Sequence, residues 1–246
     1  KIIYMIKAVI FDMDGVIVDS EPIMDIVLIQ FFDEMNIEFD KNIVKDFRGG
    51  SSKAFWGELK RIYSLPGPVE YYVDERLKRT IEYYRKHGIK LIDNVINLIE
   101  EFKNLDLKIA LATSAAHERT QVTLDLLNLE KYFDVTITSR FIKNAKHDPE
   151  IFLYATNSLN ILPDSCMVIE DSGNGIAAAK KAGMFCVGFD QYGDQDLSKA
   201  DIVVQDFKEN SRKNIFEFFG LNMSLLPQRG SPKESFGPSE RSSDNF

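Results

Sequence analysis

Lys7-Ala-Val-Ile-Phe-Asp12-Met-Asp14-Gly15-Val-Ile-Val-Asp19-Ser20 opens on an apolar run too short for a helix, rich in β-branched residues and closed by a glycine turn. That pattern predicts a buried parallel strand whose C-terminal end carries two carboxylates. Side chains two apart on a strand share a side, so Asp12 and Asp14 are expected to leave the strand end together, where open α/β sheets bind ligands. Two anions held that close repel each other and shift each other's pKa unless a cation or a shared proton lies between them. A divalent metal is the expected solution. The competing reading is plain turn chemistry, with Asp-x-Asp-Gly merely following a strand. A calcium loop of the EF-hand type fails on spacing, because Gly15 comes too early and an apolar run follows it.

The 246-residue chain fits one large domain or two small ones, and 44% hydrophobic with 28% charged residues suits a folded protein with a substantial core. A formal net charge of −8 argues against nucleic acid or an anionic membrane as a general partner, since both call for clustered Lys and Arg. Any phosphate must be met by local groups. Cys166 and Cys186 lie in separate apolar runs that read as strands, and so few cysteines imply buried free thiols in a reducing compartment. No apolar run approaches membrane-span length, and the N-terminus lacks the small-residue cleavage site of a signal peptide. A cytoplasmic location is therefore expected, with Met5 a candidate natural start and Lys1 to Tyr4 upstream of it.

Ser20 to Met35 is apolar with Pro22 in a first helical turn, where a missing N–H is tolerated. Arg48-Gly-Gly-Ser-Ser-Lys53 reads as a loop leading into an amphipathic stretch around Phe55, Trp56 and Leu59, and Leu65-Pro-Gly-Pro68 is a second break. Val69 through Tyr84 then recurs at helical spacing until His87-Gly88. Residues 20–87 thus form an all-helical block. Beyond it, strands and helices alternate: helix from Val95, strand Leu107 to Ala112, helix His117 to Leu129, strand Asp134 to Thr138, helix from Pro149 to Leu159. Strand Cys166 to Ile169, helix Gly175 to Ala182, strand Met184 to Phe189 and a short strand Asp201 to Val204 complete the pattern. The fold class is α/β, a Rossmann-like doubly wound parallel sheet with an inserted helical cap. The expected division is a core over 1–19 and 88–222, a cap over 20–87 and a disordered tail over 223–246, whose Ser-, Pro- and Gly-rich end offers little to bury.

Three further strand ends supply what the first lacks. Thr113-Ser114 follow a strand and precede a helix, so a hydroxyl and backbone N–H groups meet where an anion is favoured, although a plain N-cap is the commoner use. Lys146 lies in the connection before Pro149, and by composition Lys143 has as good a claim. Glu170-Asp171 end another strand ahead of Ser-Gly-Asn-Gly. All four sets fall at one edge of the expected sheet. Four carboxylates, a hydroxyl and an ammonium gathered there point to a metal and phosphoryl site.

Asp12-Met-Asp14-Gly15-Val, Thr113-Ser114, Lys146 and Glu170-Asp171 resemble the four motifs of the haloacid dehalogenase superfamily, in that family's order. The stretches Asp12 to Pro22 and Ile169 to Gly183 are especially similar to its β-phosphoglucomutase-like phosphatase branch. The likeness spans about Lys7 to Val204. Two departures stand out: His147 follows the motif Lys where the family usually has Pro, and Asp93-Asn94 replace a Pro-Gly before the helix that re-enters the core.

The resemblance implies a Mg²⁺-dependent phosphatase acting on a small phosphorylated metabolite, a sugar phosphate among the candidates. Asp12 is then the nucleophile that forms an aspartyl-phosphate, and Asp14 the general acid and base. Asp12, Asp14 through its carbonyl, Asp171 and Glu170 are the implied metal set, and Thr113, Ser114 and Lys146 the phosphate ligands. Cap closure is implied to hinge near Val16 to Asp19 and Gly88 to Asn94. Arg48, Ser52 and Lys53 are the expected substrate contacts of the cap. The runner-up is a sugar-phosphate mutase of the β-phosphoglucomutase type, whose cap His and loop Arg fall on Met24 and Ser52 here. A phosphoacceptor signalling domain or a non-catalytic binding member of the same fold is a third reading; the signalling domain has no use for so large a helical insertion or for the Asp-x-Asp pairing.

Overall fold

The computed structural model describes residues 5–47 and 51–222, so Arg48 and the expected tail over 223–246 lie outside the described residues. Parallel strands β1 (Ala8–Phe11), β2 (Lys108–Ala112), β3 (Val135–Ile137), β4 (Cys166–Glu170), β5 (Phe185–Phe189) and β6 (Ile202–Val204) form one sheet in the order β3-β2-β1-β4-β5-β6. The order runs outward in both directions from β1, so the switch between β1 and β4 opens a crevice at their C-terminal ends. Phe11 lies opposite Leu111 on one side and Ile169 on the other. The residues that follow these strands therefore emerge side by side.

The strands are apolar on both faces because helices cover both. Val9 and Phe11 pack in a cluster with Val95, Leu98 and Phe102 of α4 (Val95–Lys103) and with Leu124 of α5 (His117–Leu127). Ala8 and Ile10 face the opposite cluster, with Ile151 and Phe152 of α6 (Glu150–Leu159) and Ile176 and Ala179 of α7 (Gly173–Lys181). Cys166 and Cys186 are buried free thiols in that second cluster. One further helix, α8 (Glu209–Phe219), was not expected from the sequence; Ile215, Phe216 and Phe219 seal the first cluster. Arg212 ties it down, its Nε donating to Glu101 at 2.8 Å and Nη1 to the Phe207 carbonyl at 2.6 Å.

Between β1 and β2 come α1 (Glu21–Glu34), α2 (Ser52–Tyr63) and α3 (Val69–His87), with a 3-10 turn over 41–47. Pro22 lies in the first turn of α1, where its missing N–H costs nothing. Ser51 caps α2, its hydroxyl accepting from the Ala54 N–H at 3.5 Å, and Gly88 ends α3. These helices enclose their own cluster, in which Trp56 stacks between Phe32 at 6.1 Å and Tyr72 at 5.3 Å. The two connections to the sheet run alongside each other: the Asp19 N–H donates to the Lys90 carbonyl and the Ile92 N–H to the Ile17 carbonyl, both at 2.9 Å. Asn94 has φ of 64°, a left-handed conformation that asparagine tolerates, which explains how Asp93-Asn94 can stand where the resemblance leads one to expect Pro-Gly. No helix among the described residues is long and apolar enough to cross a membrane.

Candidate active site

Asp12 follows directly on β1 and is 5% exposed. Its carboxylate accepts from the Lys146 ammonium, which also donates to Glu170. Lys146 is 3% exposed, whereas Lys143 is solvated, so the ambiguity between the two lysines resolves on burial. His147 takes φ of 67°, a value closed to proline, so the loop carrying Lys146 follows a path of its own. Burial, with the charges of Glu170 and Asp14, pushes the Asp12 carboxyl up to about 7 against the pull of Lys146. The same ion pairs push Lys146 upward, although burial alone would lower it.

Asp14 is held quite differently. Nη1 and Nη2 of Arg119, on α5, donate to its two oxygens at 2.7 and 2.6 Å, and the Ser20 hydroxyl donates to Oδ1 at 2.6 Å. Burial would raise this carboxyl, but the charge and fork of Arg119 and the Ser20 hydroxyl outweigh it and hold it below the usual range. Ser20 stands at the N-cap position of α1 yet makes no capping bond, since the site has taken its hydroxyl. Arg119 also reaches the Tyr84 hydroxyl of α3 at 3.3 Å, linking the helical segment to the sheet edge. Neither Arg119 nor Ser20 was anticipated: an Arg in the first turn of a helix reads as a solvated charge, and only tertiary contact reveals otherwise.

Glu170 is the last residue of β4 and fully buried. Oε1 accepts from Lys146, and Oε2 accepts from the Ser172 N–H at 2.7 Å and the Ser172 hydroxyl at 2.9 Å. Ser172 in turn caps α7 by accepting from the Gly175 N–H at 3.1 Å. A Cβ at Gly175 would lie 1.8 Å from Glu170 Oε1, so only glycine lets the carboxylate sit on this helix. Asp171 packs as closely against Gly15, where a Cβ would lie 2.0 Å from Oδ2 and φ is +74°. Burial first, then the charges of Glu170 and Asp12, drives the Asp171 carboxyl well above the usual range.

Asp12, Asp14, Thr113, Ser114, Lys146 and Asp171 all line one cavity of about 170 Å³ between the sheet edge and the helical segment. Thr113 is buried and its hydroxyl accepts from the Ala115 N–H at 3.1 Å in a local turn; α5 begins later, at His117. Ser52 reaches the cavity too. Lys53 does not: it pairs with Glu70 at 2.9 Å on the solvated side of the helices.

The four carboxylates outnumber the two cations that touch them, and burial, followed by the acidic neighbours, leaves the Asp12 and Asp171 carboxyls raised. Hard oxygen donors short of charge suit a divalent cation. Among the described residues no three His, Cys, Asp or Glu side chains alone could enclose a metal. That is compatible with a small, strongly hydrated ion, which takes one or two carboxylates and completes its shell with water and substrate oxygens. Asp12 and Asp171 are the pair that fits, because Glu170 is engaged through both oxygens and the Asp14 side chain is held by Arg119.

The chain is 33% identical over 181 residues to a phosphorylated carbohydrates phosphatase of Thermotoga maritima, covering 72% of this chain and 82% of that protein. It is 31% identical over 208 residues to a β-phosphoglucomutase of Bacillus subtilis, covering 81% and 89%. The solved structure of a β-phosphoglucomutase from Clostridium difficile superposes with a TM-score of 0.74 at 27% identity, covering 88% of this chain and 98% of that one. The family model for haloacid dehalogenase-like hydrolases matches residues 9–189, and with Asp12, Lys146 and Asp171 converging on one cavity the chain belongs to that family of enzymes.

Proposed function

We propose that this enzyme is a Mg²⁺-dependent phosphatase that removes phosphate from a small phosphorylated metabolite, carbohydrate phosphates being the first class to test, through an aspartyl-phosphate on Asp12. The observation that carries this reading is the different treatment of two neighbouring carboxylates. Asp12 is paired with a single ammonium, and Asp14 is gripped by a guanidinium and a hydroxyl in the same cavity. That asymmetry gives two acids two roles.

Asp12 attacks phosphorus in line, and the ester oxygen leaves with a proton that Asp14 first takes up from solvent, the charge of the bound phosphate offsetting the hold of Arg119. Asp14 then takes a proton from the water that splits the acyl phosphate, the step for which Arg119 keeps it ionised. Lys146, the Thr113 hydroxyl and Ser114 hold the phosphoryl oxygens as charge spreads over them. Asp12, Asp171 and the Asp14 carbonyl would hold Mg²⁺, which when bound offsets the repulsion between carboxylate and phosphate. Glu170 fixes Lys146 and the start of α7. The paired connections at Ile17 to Asp19 and Lys90 to Ile92 are the natural hinge for closing the helical segment over substrate.

The test is a screen of phosphorylated metabolites for phosphate release with Mg²⁺ and with EDTA, run beside Asp12→Asn. The reading expects Mg²⁺-dependent release that the variant lowers by roughly 10³-fold or more, because an amide is nearly isosteric but a poor nucleophile. Near-normal release by Asp12→Asn would remove Asp12 from its role.

A further inference from the structure

Two buried donors that line the cavity have no acceptor. Arg76, on α3, lines it, and its Nε is buried without a hydrogen-bond partner. Among the described residues no hydrogen bond or ion pair involves its guanidinium; it lies over the Phe55 ring, 5.1 Å from Cζ to centroid, within reach of the charges of Arg119, Glu21 and Asp14. Trp56 is fully buried, lines the same cavity and has an unpartnered indole N–H. Both groups donate only.

Arg79, one turn further along α3, shows what satisfaction looks like on this helix. Its Nε donates to Glu75 and its Nη1 to Glu34, each at 2.8 Å, and these bonds raise its pKa. Arg76 moves the other way, brought down to about 10 by burial and then by the charge of Arg119. It stays protonated at neutral pH with too little negative charge around it.

The acceptors that line the cavity near Arg76 do not pair with it. Both Asp14 oxygens are taken by Arg119 and Ser20; Glu21 lines the same cavity and its charge reaches Arg76, but no hydrogen bond or ion pair joins the two among the described residues. The Thr80 hydroxyl donates to the Arg76 carbonyl at 2.8 Å. Buried donors left unpartnered are costly, so a ligand group that only accepts fits here best. A neutral polyol brings as many donors as acceptors. A carboxylate or a phosphate brings acceptors alone, in a geometry that matches a guanidinium fork.

We infer that Arg76, assisted by the Trp56 indole, binds a second anionic group, so that the substrate carries a carboxylate or another phosphate beside the phosphomonoester. This deepens the phosphatase reading above and rests on it for the identity of the first anion.

Trp56 is the single tryptophan of the chain, so its fluorescence reports binding at this wall without any turnover. The experiment titrates the full chain with Mg²⁺ and three stable phosphonates of matched length: propylphosphonate, phosphonopropionate and propylene bisphosphonate. At least one of the two doubly anionic compounds should bind about 10-fold or more tightly than propylphosphonate, as expected for a charged hydrogen-bonded pair. Whichever does so identifies carboxylate or phosphate as the second group. Arg76→Gln should erase that gap, Arg76→Lys should keep part of it, and Arg79→Gln should keep all of it. Equal binding of all three compounds, or a gap that survives in Arg76→Gln, overturns the inference. If the gap appears as described while no phosphomonoester is hydrolysed, the subsite stands and the phosphatase reading fails.

Discussion

Arg119 grips Asp14 through both carboxylate oxygens, at 2.7 and 2.6 Å, across 105 residues of sequence. The fork fixes the plane of the carboxylate, and the charge favours its ionised form, so Asp14 rests in the state that the second, hydrolytic step needs and must take up a proton for the first. Without Arg119 the burial of Asp14 would go unopposed and its pKa would rise. Arg119→Leu should therefore move the acid limb of the rate profile to higher pH and lower turnover by roughly 10²-fold, the low end for general acid and base catalysis. Arg119→Lys, which keeps charge but loses the fork, should fall between. An acid limb that stays in place in Arg119→Leu would take Arg119 out of this role.

Lys146 presents the opposite case, one cation shared by two buried carboxylates. Removing it leaves both uncompensated, and breaking a buried pair in this way costs about 3–5 kcal/mol. Lys146→Met should lose most phosphate release and unfold at markedly lower denaturant near pH 8. Near pH 5 the loss of stability should shrink, because Asp12 can take up a proton in place of the lost charge. Equal destabilisation at both pH values would argue that Lys146 acts through packing on Phe152, which its ammonium overlies at 5.4 Å, and not through charge.

The strands were legible because two-sided burial leaves a plain mark: Ala8–Phe11 and Cys166–Glu170 are apolar at nearly every position, and acids stop them. Asp12, Asp171 and Lys146 could be grouped in advance because parallel topology alone brings strand ends to one edge. The α8 helix could not be seen so readily. Its apolar residues Ile215, Phe216 and Phe219 follow a polar first half, and the turn is anchored by Arg212 on Glu101, a contact 111 residues away in sequence. Arg119 and Arg76 escaped for the same reason. Arg119 reads as a helix-surface cation, and Arg76 falls among the residues of α3 that recur at helical spacing without a role of its own; what separates both from Arg79 is the cavity that the fold presents to them.

The carboxylate cluster predicts how stability responds to pH and metal. Burial and its acidic neighbours raise Asp12 from 3.8 to about 7, so the folded protein holds that proton more tightly than the unfolded chain does. The resulting contribution to stability is complete below about pH 4 and is lost as pH rises through about 7, with Asp171 shifted in the same direction. Mg²⁺ replaces the proton as the compensating charge, so it should raise Tm strongly near pH 8 and little near pH 5. Gly15→Ala, whose methyl group would meet Asp171 Oδ2 at 2.0 Å, should blunt the gain at pH 8. Calorimetry in EDTA and in Mg²⁺ at the two pH values decides the matter; a gain independent of pH would mean that the ion binds away from Asp12 and Asp171.

The last prediction separates phosphatase from mutase, the two activities named among similar proteins. A mutase must keep its aspartyl-phosphate from water until a second sugar phosphate arrives, which requires cap groups that sense substrate and couple it to Asp14. The resemblance places the mutase His and Arg at Met24 and Ser52, and both of these line the cavity. Met24 accepts a weak contact from the Thr80 hydroxyl at 3.9 Å, and a thioether cannot exchange a proton. A hydroxyl at Ser52 cannot replace a guanidinium fork, and Lys53 beside it is occupied with Glu70 in solvent. Arg76 lies on α3 over the Phe55 ring and makes no hydrogen bond to Asp14. Water should therefore win the competition for the phosphorylated Asp12. With β-glucose 1-phosphate, Mg²⁺ and a bisphosphate primer, the enzyme should release inorganic phosphate without accumulating glucose 6-phosphate, followed by a coupled dehydrogenase assay. Isomerisation faster than phosphate release would reverse the assignment and make the cap a substrate-gated one built on residues other than Met24 and Ser52.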